Sequence, residues 1–423
     1  MNHEISLNEI AVINPPRPQL SLGPETEVSF VPMGDVTDGG CWYKRQVRKF
    51  QEVKKGYTWF QDKDVLFAKI TPCMENGKGC LVTGVKNGVG FGSTEFHVLR
   101  ARTNGDSGFI YQWSIYLPFR LKAAASMTGS AGQQRVPASF LETFKIPAIE
   151  KTEQAKIAEI LSTVDRAIAE TEALIAKQQR IKTGLMQDLL TRGIDEHGNI
   201  RSEQTHQFKD SLLGRIPMEW EVAEIEKKLD EIIDYRGRTP KKVDSGVPLI
   251  TAKNVRDGYL NIYPQEFIEE GAYDDWMTRG IPHYGDILFT TEAPMGNVAK
   301  VPEYRIALAQ RLLTLLVNSN ELSSDYLYWV LHWENSRDRI ELLTSGSTVV
   351  GVKQSVFRKV LLRFPSKDEQ ERISSVLNSH KEKVESENSK HNKLKILKTA
   401  LMQDLLTGIK RVTPLLDEGV ING

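Results

Sequence analysis

The string KTGLMQDLLT at 182–191 returns as KTALMQDLLT at 398–407, nine of ten residues identical and 216 positions further on (398 − 182). The same displacement aligns Glu153-Gln154 with Glu369-Gln370, Ile157 with Ile373, Leu161 with Leu377 and Val136 with Val352. A constant offset running from Val136 to Thr191 is not chance. A period this long marks a duplicated domain rather than a solenoid, whose units are roughly 20–50 residues. The chain of 423 residues therefore contains one architectural unit twice, within the two to three domains its length suggests.

The matched stretches have the periodicity of long helices. Ile157, Leu161, Val164, Ile168, Ile175, Leu185 and Leu189 fall on one 4-3-4 seam, and Ile373, Leu377, Val384, Leu394, Leu401 and Leu405 fall on its copy. So long a stripe is the pattern of a coiled coil. Pro147 and Pro365 precede the stretches and Gly193 and Gly408 follow them, as start and stop signals should. Each helix would be roughly 60 Å long at ~1.5 Å per residue. Polar residues interrupt the seams at Thr171, Gln178 and Lys182, and at His380, Glu387 and His391. They mark either wet points or positions that fix register between two helices.

The intervening segments are built differently. KDVLFAKITP at 63–72 resembles GDILFTTEAP at 285–294, and Val36, Asp38 and Gly39 match Val255, Asp257 and Gly258. Short runs of Val, Ile, Phe and Thr bounded by Gly, Pro and Asn read as strands and turns. The expected fold is α+β: two β-rich globular domains and two long antiparallel coiled-coil helices with pseudo-two-fold symmetry. Its segments are 1–147 (first globular domain), 148–193 (first helix), 194–210 (linker), 211–364 (second globular domain), 365–408 (second helix) and 409–423 (tail). The helices are near copies and the globular parts have diverged. The helices thus share one job, and the globular parts carry different specificities.

Several function classes find no support. There is no GxxxxGK[ST], HExxH or GxSxG string, and the eight histidines have no ligand spacing. GDSGF at 105–109 echoes a serine-protease loop without the rest of such a fold. Cys41, Cys73 and Cys80 form no CxxC pair and read as reduced thiols of a cytoplasmic protein. The opening MNHEISLNEIAV lacks the apolar core of a signal peptide, and no apolar run is long enough for a membrane span. NPPR at 14–17 resembles the NPP[FY] loop of adenine-N6 methyltransferases, where an aromatic stacks on a flipped base. Arg17 stands in the aromatic position, and the segment reads as a proline-rich turn. Basic and acidic residues balance at 55 each. That counts against nucleic-acid binding, but charge is segregated. Residues 44–55 hold six basic side chains and one acid, and 230–242 hold Arg236, Arg238, Lys241 and Lys242.

Five features together are specific: DYRGRTPKK at 234–242, VPLITAKNVRDG at 247–258, GDILFTTEAPMGNVA at 285–299, SLLGRIPMEWEV at 211–222, and the two LMQDLLT helices. With them the chain resembles the specificity subunit of type I restriction–modification systems, over nearly its whole length. The first globular segment departs most, lacking the RGRTPKK and LGxIPxxW elements. The resemblance implies that each globular segment is a target recognition domain for double-stranded DNA and that the helices are an antiparallel spacer. Two methylation subunits would flank the chain and supply the S-adenosylmethionine site, and restriction subunits would join them. The chain itself would have no catalytic activity and no cofactor. Two unlike readers on a pseudo-two-fold scaffold would read an asymmetric bipartite target with a fixed unread gap.

Base edges are read by Arg, Lys, Asn, Gln, Ser or Thr on projecting loops. In the first domain the candidates are Lys44, Arg45, Lys69, Thr71, Asn76 and Lys78, with Gln133, Gln134 and Arg135 in the Gly-rich turn before the helix. In the second they are Arg236, Arg238, Thr239, Lys241, Lys253, Asn254, Thr291, Glu292 and Asn297, with Ser345, Ser347 and Thr348. Trp42 and Trp59 are better suited to core packing than to stacking on an extruded base. Leu185, Met186, Leu189 and Leu190, with Leu401, Met402, Leu405 and Leu406, form more apolar surface than one helix pair can cover, so partner helices are expected to dock there. Two other readings remain: a self-contained adenine-N6 methyltransferase using NPPR, and a coiled-coil scaffold with no DNA role.

Overall fold

A computed structural model describes residues 3–130, 132–237, 239–292, 294–344 and 351–416. The chain divides into two compact units that cut across the linear segments. One comprises 1–173 with 388–423, the other 174–387. Each unit therefore owns one β-rich domain and a piece of both long helices, which run over Lys151–Leu189 and Lys367–Leu406.

In the first unit a four-stranded antiparallel sheet has the order Ala11–Ile13, Phe96–Ala101, Val65–Ala68, Gly79–Leu81. A second sheet has the order Gln46–Lys49, Glu27–Val31, Val89–Gly92, Thr58–Gln61, with its inner pair parallel. All four residues of the run VLFA are buried, because both faces of that strand are covered. On one side Val65 and Phe67 join the core containing the helix Ser107–Ile115 and the start of the first long helix. On the other, Leu66 and Ala68 pack with Val31, Trp42 and Phe60.

The second unit repeats this plan. Its sheet has the order Leu229–Asp234, Leu312–Val317, Ile287–Thr290, Val298–Lys300. The strand ILFT is again buried throughout. Its second layer pairs Leu249 and Ile250 in parallel with Ala307 and Leu308.

Both units use the same clasp at the start of a long helix. In the first, Gln154 accepts from the backbone N–H of Asp106, the cap of Ser107–Ile115, at 2.9 Å and donates to the Ile149 carbonyl at 2.8 Å. Beside it the buried Glu153 accepts from the Val412 N–H at 3.0 Å and from Arg411, just beyond the end of the other long helix. In the second unit Gln370 accepts from the Ser323 cap at 2.8 Å. Glu369 takes the Ile194 N–H at 3.0 Å, the Trp220 indole N–H at 3.1 Å and Arg201. Gly193 must be glycine: its φ is +69°, and a Cβ there would lie 2.0 Å from a Glu369 oxygen. The start of one long helix thus meets the end of the other in each unit, which is antiparallel pairing.

The seams are fully buried at some positions and half-buried at Val164, Ile168, Val384 and Leu394. Ile157, Leu161 and Ile175 are buried, as are Ile373 and Leu377. Among the polar seam residues, His391 bonds Glu172 at 2.8 Å and His380 bonds the Gln178 carbonyl at 2.9 Å, so both cross between helices. Thr171 bonds the Ala167 carbonyl of its own helix at 2.7 Å. Lys182 lies 3.3 Å from His332 and over the Trp329 ring, and burial holds its amine below the usual lysine range.

The apolar LMQDLLT side chains are not free for a partner. Met186, Leu189 and Leu190 are buried, and Leu185 packs beside them, in the second unit's core with Trp220, Trp329 and Leu377. Met402, Leu405 and Leu406 are buried, with Leu401 beside them, in the first unit's core with Trp113, Ile146 and Leu161. The docking surface expected there is corrected accordingly. A helix pair alone could not cover these residues, but each unit's own globular domain does.

NPPR is a structural turn. The Asn14 side chain bonds His97 at 2.9 Å and the Val98 N–H at 3.1 Å, and Arg17 lies over the rings of Phe50 and Phe91. Trp59 is buried and donates to the Pro15 carbonyl at 3.0 Å. Trp42 is buried too.

Candidate nucleic-acid interface

The candidate readers converge where the central strands end. In the first unit the chain leaves Val65–Ala68 at Lys69, whose N–H donates to the Glu95 carbonyl at 2.9 Å. The Lys69 carbonyl accepts from the Val136 N–H at 2.9 Å, Ile70 bridges to Arg135, and the Thr71 N–H donates to the Gln134 carbonyl at 3.1 Å. Arg135 also bridges to Thr128. Three separate segments are thereby tied into one junction, which brings Lys69, Thr71, Gln133, Gln134 and Arg135 together. The Arg135 guanidinium donates through Nε and Nη2 to the two Glu95 oxygens at 2.9 and 2.8 Å, and through Nη1 to the Gln133 carbonyl at 2.9 Å. That hydrogen bonding holds the Glu95 carboxyl below its usual range. Beneath the junction His97 bonds the Val136 carbonyl at 2.8 Å, and burial lowers its pKa.

The other candidates of this unit are more scattered. Asn76 is exposed on the loop that follows Thr71, and the Thr71 hydroxyl donates to Glu75 at 2.8 Å. Lys78 is occupied inside the fold, donating to the Val36 carbonyl at 3.1 Å. Lys44 is exposed at the approach to the second sheet. Arg45 beside it donates to the Thr83 carbonyl at 2.6 Å and covers Trp42.

The second unit has the same junction. The Thr291 N–H donates to the Arg311 carbonyl at 3.1 Å, the Val352 N–H donates to the Thr291 carbonyl at 3.0 Å, and Glu292 bridges to Gly351. Arg236 reaches the Val352 carbonyl at 3.5 Å, and Gln310 donates to the Thr239 hydroxyl at 3.4 Å. Arg236, Thr239 and Glu292 therefore gather with Gln310 and Arg311. Lys241 and Lys253 are exposed, and Asn297 donates to the Val255 carbonyl at 2.9 Å. Arg238, Ser345, Ser347 and Thr348 lie outside the described residues.

Two readings in this unit are corrected. Asn254 is 1 % exposed. Its carbonyl accepts from the Thr251 N–H and hydroxyl, and its amide donates to the carbonyls of Asn261 and Pro264. All its capacity goes into folding that turn, so no base edge can use it. Thr291 is 2 % exposed, and its contribution is its backbone. Conversely, the sequence candidates leave out Gln310 and Arg311, which interrupt the apolar stretch 306–317. The interruption was the signal: Arg311 turns the chain at φ +71°, a left-handed conformation uncommon outside glycine.

Residues 3–180 and 217–396 match the family described as the type I restriction modification DNA specificity domain. The chain belongs to that family. It is 46% identical over 158 residues to the EcoEI specificity subunit of Escherichia coli, a match covering 36% of this chain and 26% of that protein. It is 38% identical over 188 residues to the EcoAI specificity subunit of the same species, covering 42% and 31%. The chain thus spans about a quarter to a third of these two curated relatives. The MjaVIII specificity subunit of Methanocaldococcus jannaschii is 27% identical over 322 residues, 71% of each chain. The fold is similar to that of the type I S subunit from M. genitalium, with TM-score 0.59 and 14% identity, covering 96% of both chains. It is also similar to a chain described with the assembly of the type I system, with TM-score 0.54 and 19% identity, covering 96% and 97%.

Proposed function

We propose that the chain is the non-catalytic specificity subunit of a cytoplasmic type I restriction–modification complex, reading an asymmetric bipartite sequence in double-stranded DNA. The observation that carries this reading is the junction repeated in both units: the same backbone bonds hold different side chains at the surface. Equal frames suit equal backbone geometry in two half-sites, and unequal side chains suit different letters. The segments 1–147 and 211–364 are the two readers. The helices 148–193 and 365–408 form the spacer, with 194–210 and 409–423 as linker and tail.

Two methylation subunits supply the S-adenosylmethionine chemistry, and restriction subunits join them. Their docking surface is not the LMQDLLT leucines. The long helices leave Ile181, Val376, Ile396 and Leu397 exposed, Ile396 at 71 %. These are the apolar side chains a partner helix would cover.

Methylome sequencing of cells expressing this chain with its methylation subunit tests the reading. A split motif with two unlike halves is the expected result. Methyl transfer by the purified chain alone would refute it. Calorimetry with S-adenosylmethionine separates the rival methyltransferase, for which binding is required. A mobility shift of the reconstituted complex on duplex DNA that weakens with salt separates the scaffold reading.

A further inference from the structure

Two backbone bonds and one bridge recur in both junctions, and they define which residues are equivalent. Lys69 N–H to Glu95 carbonyl corresponds to Thr291 N–H to Arg311 carbonyl, and Val136 N–H to Lys69 carbonyl corresponds to Val352 N–H to Thr291 carbonyl. The strand registers agree: Ala68 faces Phe96, and Thr290 faces Leu312. The bridges Ile70 to Arg135 and Glu292 to Gly351 complete the match. Glu95 therefore occupies the position of Arg311, Arg135 that of Gly351, and Ile70 that of Glu292.

Among the described residues, each junction pairs an arginine with a carboxylate, by hydrogen bonds between Arg135 and Glu95 and by a looser ion pair between Arg311 and Glu292, and the two pairs sit at different positions. In the first unit the acid lies before the central strand and the arginine lies on the loop before the helix. In the second the arginine lies before the strand, its Nε 3.6 Å from Glu292 on the loop after the neighbouring strand. The Arg135 side chain is 41 % exposed and that of Arg311 is 53 % exposed. Of the five N–H groups on Arg135, three are engaged by Glu95 and Gln133. Among the described residues that leaves one N–H on each terminal nitrogen. Two parallel N–H groups from the two terminal nitrogens are what the O6 and N7 acceptors of guanine receive in the major groove. A carboxylate fixing the Nε side lowers the entropy lost when the arginine binds.

We infer that Arg135 and Arg311 each read one guanine, in different half-sites, and that moving this arginine from the pre-helix loop to the pre-strand turn is one reason the two readers prefer different sequences. The inference rests on the proposed DNA-recognition role. Glu95 is a positioning residue; it orients the Arg135 guanidinium and does not touch the base, while Glu292 only balances the Arg311 charge nearby.

The test is methylome sequencing of cells expressing the chain with its methylation subunit, as wild type and as R135A, R135K, E95Q, R311A and R311K. R135A should relax one G·C position in one half-site, cutting discrimination there roughly tenfold or more, while the other half-site and the gap stay unchanged. R311A should do the same in the other half-site. Lysine keeps a phosphate contact but not the two-pronged geometry, so R135K and R311K should relax the same letters as the alanine variants. E95Q should relax the R135A letter less than R135A does. The unaffected half-site and an unchanged melting temperature show that a variant is folded. Should R135A disrupt folding, R135K decides alone: a relaxed letter supports the inference, and an unchanged motif overturns it. Uniformly weaker methylation with every letter kept would make these arginines phosphate contacts and overturn it. So would relaxation of the same half-site by both arginine variants. In each of those cases a split wild-type motif leaves the DNA-recognition reading standing. Absence of any split motif overturns that reading and the inference with it.

Discussion

His97 shows how a buried residue outside the surface supports one on it. It stands on the central strand two residues after Glu95, and its bond to the Val136 carbonyl fixes the loop that carries Arg135. Burial depresses its pKa, and burial likewise depresses that of His332 in the second unit. For a histidine the unfolded value is about 6.5. Below that pH the unfolded chain takes up a proton that the folded chain resists, so stability falls as pH falls. Thermal melts should therefore shift downward between about pH 7 and 5. His97→Leu should flatten part of that slope. It should also cost about 1–3 kcal/mol at pH 7, because the Val136 carbonyl and the Asn14 amide lose their partner. An unchanged slope in H97L would show that His97 is not a source of it. Nothing in the string FHVLRA distinguishes such a histidine from one on the surface; only the strand's two covered faces do. The same gap in information misplaced Asn254, whose residue type suits a base edge but whose side chain is consumed by a turn.

At the scale of the element, the repeated helices were the most legible part of the chain, because a 3.6-residue period and a constant offset are properties of the string itself. What the helices pack against was not legible. A stripe of leucine and methionine says that a face is covered without saying by what, and here the cover comes from strands and short helices far away in sequence. The two alternatives separate by measurement. Leu189→Ala and Leu405→Ala each remove a fully packed side chain and should cost about 2–5 kcal/mol in denaturant titrations of the full chain. The exposed pair Ile396→Ser with Leu397→Ser should leave stability within about 0.5 kcal/mol of wild type, as surface changes usually do. If a partner helix covers those positions, this double variant should retain less methylation subunit in a pull-down. Full retention there would move the docking surface elsewhere.

At the scale of the whole molecule, acidic and basic residues balance at 55 each, so net charge does not draw the chain to a polyanion and only its segregated basic stretches can. On the proposed reading, part of the phosphate attraction would then come from partner subunits. If the long helices are the ruler between readers, their length and the gap between half-sites must change together, while the letters depend on the two globular readers. Inserting four residues within 167–177, about one helical turn, adds roughly 6 Å at 1.5 Å per residue. That is close to two base-pair steps at about 3.4 Å each. Methylome sequencing of the insertion variant should return both half-sites letter for letter, with the unread gap lengthened by about one or two base pairs. A single inserted residue is a sharper control. It rotates the downstream seam by about 100° at 3.6 residues per turn, so Gln178 and Lys182 leave their partners. Loss of methylation without a change of gap is the expected result for that variant. Altered letters after the four-residue insertion would mean that the helices take part in reading, and the ruler would have to be abandoned.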